Sequence, residues 1–120
     1  MKKNLVAAKS YSFALNIIRL YTFLTADRKE FVLSKQLLRS GTAVGALIRE
    51  AEHAQSKKDF LSKMNIALKE ANETQYWLEL LKDSAFIGVD TFDDISAQSI
   101  ELVKLLTSIV KTTKSNLGIN

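Results

Sequence analysis

Apolar residues along this chain recur at steps of three and four, the period of a helix with one buried face. Val6, Phe13, Ile17, Tyr21 and Leu24 form such a face on a helix from about Leu5 to Leu24, with Ala14 and Ile18 beside them. Asp27 followed by Glu30 is an acidic form of the capping box, so a second helix is predicted from about Arg28 to Ala54. Its core face is Leu33, Ser34, Leu37, Gly41, Val44, Gly45, Ile48 and Ala51. Ser56 with Asp59 opens a third helix, about Lys57 to Asp83, facing inward through Phe60, Met64, Ala67, Leu68, Ala71 and Leu78. Asp90 with Asp93 opens a fourth, about Thr91 to Lys114, striped by Ile95, Ser99, Leu102, Leu106 and Ile109. The tail from Ser115 is expected to fray.

Four helices of similar length joined by short loops favour antiparallel neighbours. The pattern predicts an all-α fold, an antiparallel up-down-up-down four-helix bundle, with residues 1–120 as one domain. Two glycines inside the second helix each cost about 1 kcal/mol relative to alanine. Their spacing, Gly41-x-x-x-Gly45 on the buried face, points to a closely packed neighbouring backbone that offsets this cost. Composition agrees. The chain has no proline and only four glycines, too little turn punctuation for a β-sandwich or barrel.

Candidate chemistry is sparse. Without cysteine there is no disulfide, thiolate metal site or thiol nucleophile. Glu50-Ala-Glu-His53 has the ligand spacing of carboxylate di-iron bundles, but His53 is the only histidine and lies off the core face. Ser34-Lys35 and Ser62-Lys63 are adjacent pairs, which do not face each other on a helix. No nucleophile elbow or phosphate-cradling glycine loop is present. The reading is therefore a non-enzyme with no catalytic residue, metal or cofactor. No 18-residue window is free of charge and the N-terminus is a poor secretory signal, so no membrane span is expected and a cytoplasmic location is.

Charge adds a direction. The net charge is +4, with twelve basic and five acidic residues in 1–63 against five and eight in 64–120. On the second helix Arg28, Lys35, Arg39 and Arg49 fall opposite the core face, and Lys57 and Lys58 follow its end. Such a basic ridge suits the phosphate backbone of RNA or DNA, with little sequence specificity. On the third helix Ile66, Trp77 and Leu80 lie away from the core face, a second apolar stripe that suits an oligomer interface. The alternative reading is a structural or protein-interaction scaffold whose positive charge serves only solubility.

Three segments carry a family likeness: residues 29–46 (KEFVLSKQLLRSGTAVGA), 54–60 (AQSKKDF) and 66–78 (IALKEANETQYWL). In order and spacing they resemble the four-helix-bundle proteins encoded in intervening sequences of 23S rRNA genes. Leu47 is a departure, since the family commonly has asparagine there. The resemblance implies an antiparallel bundle that assembles as a homopentamer and has no known catalytic activity. A related branch comprises accessory proteins of diversity-generating retroelements. It implies nucleic acid and a protein partner such as a reverse transcriptase.

Overall fold

The computed structural model describes residues 2–119, with side chains from Leu5 onward; Met1 and Asn120, the ends of the predicted domain, lie outside the described residues. Its elements are α1 (Lys2–Ala26), α2 (Leu33–Glu52), α3 (Lys57–Asp83) and α4 (Val89–Asn116). Each helix lies beside two neighbours, α1 and α3 each flanked by α2 and α4. Cross-helix contacts fix the directions. Glu50 meets Lys63 while Ser40 meets Thr74, so α2 and α3 run antiparallel. Lys9 meets Glu101 while Asn16 meets Gln98, giving the same relation for α1 and α4. Sequential helices thus run up and down around one core, in a rod of 48 × 22 × 21 Å.

The core holds the predicted stripes. Phe13, Ile17 and Leu24 from α1 meet Leu37, Val44 and Ile48 from α2, Met64 and Leu78 from α3, and Leu102 and Leu106 from α4. Leu20 takes the core place expected of Tyr21, which is half-buried. Gly41 and Gly45 are where α1 approaches α2. A Cβ on Gly41 would fall 2.9 Å from two side-chain carbons of Ile17, and one on Gly45 would fall 3.4 Å from the Ser10 carbonyl oxygen. The neighbour is α1, but the tight approach at Gly41 is to a side chain and the backbone approach at Gly45 is an ordinary contact, so the expected close backbone packing is met only in part.

The start of α2 differs from the sequence expectation. Arg28 to Val32 are not helical, and Lys29 adopts a positive φ of 53°. Glu30 does not close a capping box with Asp27. It is buried, and its own carboxylate accepts hydrogen bonds from the backbone N–H groups of Val32, Leu33 and Ser34 at 3.1, 2.9 and 2.7 Å. Ser34 Oγ donates back to the Glu30 carbonyl at 2.8 Å. A carboxylate satisfies three otherwise orphaned donors and sits at the positive end of the helix dipole. Burial alone would raise the Glu30 pKa, but these hydrogen bonds outweigh it and hold the carboxyl below its ordinary range.

Of the other two predicted caps, the one at α3 forms and the Asp90–Asp93 cap at α4 does not. Ser56 Oγ accepts from the Asp59 N–H at 3.0 Å, and the Asp59 carboxylate accepts from the Gln55 N–H at 3.2 Å. At α4 the cap position is Gly88, one residue before the helix, and Asp90 lies in the first turn. The tail does not fray at Ser115: α4 continues to Asn116, and Leu117 packs against the core.

Candidate nucleic-acid and assembly interface

The six basic residues singled out on sequence do not form one ridge. Arg28 precedes α2, and its Nη2 donates to the Ala85 carbonyl at 3.0 Å while the guanidinium lies 5.6 Å from the Phe86 ring centroid. It therefore ties the α1–α2 loop to the α3–α4 loop. Arg39 stays on α2 but reaches α3. Its Nη1 donates to Glu70 Oε1 at 3.2 Å and its Nη2 to Glu73 Oε2, so two carboxylates compensate its charge. Lys35, Arg49, Lys57 and Lys58 are exposed, and none has an ion-pair partner among the described residues. Lys35 and Arg49 lie roughly 21 Å apart along α2 at the helical rise.

Glu73 connects the two candidate surfaces. The same oxygen that takes Arg39 also accepts from Trp77 Nε1 at 2.9 Å. The Trp77 bond is the largest influence on the Glu73 carboxyl; partial burial opposes it, Arg39 adds to it, and the pKa is lowered. Trp77 is half-buried and packs against the core, so it does not stand on the opposite face as its helical position suggests. Its large ring covers core side chains while its N–H stays satisfied by Glu73, the carboxylate that Arg39 of α2 also reaches. Tyr76 contacts its edge at a centroid distance of 5.0 Å and is itself exposed. Ile66 is exposed and Leu80 is half-buried, so the predicted stripe is a mixed surface with Arg39 and Glu73 inside it.

A larger apolar surface escaped the sequence reading. Leu5, Tyr11, Leu15, Ile18 and Phe23 on α1 are all exposed. Ile18, placed beside the core stripe on sequence, is among them. The available signal is the absence of any charge between Lys9 and Arg19 or between Arg19 and Asp27. Such a helix carries more apolar surface than one face can bury. A groove of about 420 Å³ runs between α1 and α2, lined by small residues including Ala7, Ala14, Gly45 and Ala46, with Arg49 at its edge.

A second concavity, about 530 Å³, opens at the end of the bundle where α2 passes into α3 and α4 terminates. Among the described residues no group of three or more His, Cys, Asp or Glu is placed to hold a metal ion, and His53 is an exposed C-cap of α2. No helix among them is long and apolar enough to cross a membrane.

Comparison with known proteins agrees with this geometry. The profile described as 23S rRNA-intervening sequence protein matches residues 2–108. A crystal structure from Bacteroides thetaiotaomicron, described as a protein with unknown function from the S23 ribosomal protein family, superposes with a TM-score of 0.92. It is 58% identical, and the match covers 92% of this chain and 99% of that one. No curated protein matches the chain.

Proposed function

This chain belongs to the 23S rRNA-intervening sequence protein family, and on that premise we propose that it is a self-associating helical scaffold, without catalytic activity, that holds nucleic acid by phosphate contacts. The observation that carries the assembly half is the exposed apolar face of α1, where Tyr11 and Ile18 border the groove toward α2. Tyr11, Leu15 and Ile18 share that face at i, i+4 and i+7, and exposed apolar side chains grouped in this way mark an interaction site. The homopentamer implied by the family resemblance is the proposed assembly, with Ile66, Trp77 and Leu80 as a second contributing surface.

The nucleic-acid half rests on Lys35, Arg49, Lys57 and Lys58, which have no ion-pair partner among the described residues. Repetition around an oligomer multiplies a weak single-chain affinity by about 10²–10⁴. A scaffold that binds no nucleic acid is the second reading, favoured by the internal engagement of Arg28 and Arg39. Light scattering tests the assembly, and a strictly monomeric mass at micromolar concentration rejects it. A salt titration tests the rest. RNA affinity should fall steeply with salt, and Lys35→Glu with Arg49→Glu should weaken it for every sequence. Absence of binding at low salt selects the scaffold without nucleic acid.

A further inference from the structure

The end cleft combines apolar, polar and basic side chains in a way that the apolar face of α1 does not. Phe60 and Ile109 supply its apolar wall, while Lys57, Thr112, Asn116 and Glu52 line it with polar groups. Lys57 is exposed and without an ion-pair partner among the described residues, and Lys58 follows it in the same condition. Its volume, about 530 Å³, lies within the range of small-molecule sites.

We infer that this cleft is a nucleotide subsite: it takes one unstacked base of a single-stranded nucleic acid, with the adjoining phosphate on Lys57. The inference rests on the nucleic-acid reading above and gives it a location. Three features select this occupant. An aromatic and aliphatic wall suits the face of a base, which gains by stacking whatever its identity. The Asn116 amide, the Thr112 hydroxyl and the Glu52 carboxylate offer donors and acceptors to a base edge. The lysines suit a phosphate and not a neutral apolar ligand. A paired duplex keeps its bases stacked and has none to insert, so the cleft discriminates single strands from duplexes.

The test fills the cleft without altering charge. Ala54 is half-buried and lines it, so Ala54→Phe occupies the space of the base. Anisotropy titrations at low salt compare a short unstructured RNA with its duplex, each against parent and variant. The expected result is about tenfold weaker single-strand binding, the scale of one lost base stack, with duplex affinity unchanged. Photo-cross-linking of the parent to 4-thiouridine RNA should place adducts on peptides containing Phe60 or Thr112 to Asn116. This second measurement decides the matter if Ala54→Phe does not fold. Unchanged single-strand affinity in a folded variant, or adducts confined to other surfaces, overturns the subsite and leaves the phosphate reading standing. No binding of either RNA by the parent overturns both. Hydrogen-exchange protection of residues 109–116 that grows with protein concentration alone assigns the cleft to a second copy of the chain and likewise overturns the subsite.

Discussion

Gly41 and Gly45 lie one turn apart on the same helix, yet alanine at each should have opposite consequences. Either substitution gains helix propensity, about 1 kcal/mol. At Gly45 the new methyl meets the Ser10 carbonyl and hydroxyl oxygens at 3.4 Å, an ordinary contact, so the gain is kept. At Gly41 it meets Cγ1 and Cγ2 of Ile17 at 2.9 Å and the Ile17 Cβ at 3.3 Å. A β-branched side chain in a helix has essentially one χ1 well, and any rotation leaves a γ carbon facing the methyl. The helices must therefore separate, at a cost of about 1–3 kcal/mol. Net of propensity, Gly41→Ala should lose up to about 2 kcal/mol. For a domain of this size the two variants should melt roughly 4–12 °C apart. Circular-dichroism melts at matched protein concentration measure this, with urea midpoints at unchanged slope as a check. Ile17→Ala should relieve part of the Gly41→Ala penalty in a double-mutant cycle. If Gly41→Ala melts as high as Gly45→Ala, the argument for close approach at Ile17 is wrong.

The remaining expectations concern polar groups. Glu30→Gln should cost about 1–2 kcal/mol at neutral pH, because three backbone donors lose an ionised acceptor. Since the folded Glu30 pKa is lowered, its contribution is complete above the ordinary carboxylate range and is lost as pH falls through the lowered value; parent and variant should converge in acid in urea titrations at stepped pH. Trp77→Phe and Arg39→Gln should each raise the Glu73 pKa, since each removes a group that lowers it, and carboxyl ¹³C titration reads both. The Arg39–Glu73 coupling in a double-mutant cycle should be only about 0.2–1 kcal/mol, because Arg39 is about half exposed. Arg28→Leu should destabilise by about 1 kcal/mol through the lost bond to the Ala85 carbonyl, read as a lower urea midpoint.

Helix existence, order and inward faces were legible because each depends on spacing within one segment. Ser56 and Asp59 were legible for the same reason: their capping bonds close over four residues. The Asp27–Glu30 pattern misled because it shares that spacing. What decided the outcome there was burial of Glu30 and the positive φ at Lys29, which turn the carboxylate forward onto α2. Trp77 was misplaced on its helix for a related reason. A position far from the core stripe still covers core side chains when its own side chain is long.

The basic surface exposes a deeper limit of reading one helix at a time. A helical projection shows where a cation starts and is blind to the charges on the element packed beside it. Arg39 begins opposite the core of α2, but Glu70 and Glu73 begin on the near flank of α3, and an arginine is long enough to span the gap. Arg28 is drawn off by a carbonyl and an aromatic ring from a loop 57 residues away in sequence. The charge of Arg28 and Arg39 near one end of α2 is thereby consumed in holding elements together, while Lys29 and Lys35 stay exposed there. At the other end Arg49, Lys57 and Lys58 have no ion-pair partner among the described residues. The available charge thus gathers where the chain passes from α2 to α3, beside a cleft that helical periodicity does not reveal. A polyanion approaching this end of the bundle meets Arg49, Lys57 and Lys58 within ten residues of one another in sequence, with Glu52 beside them.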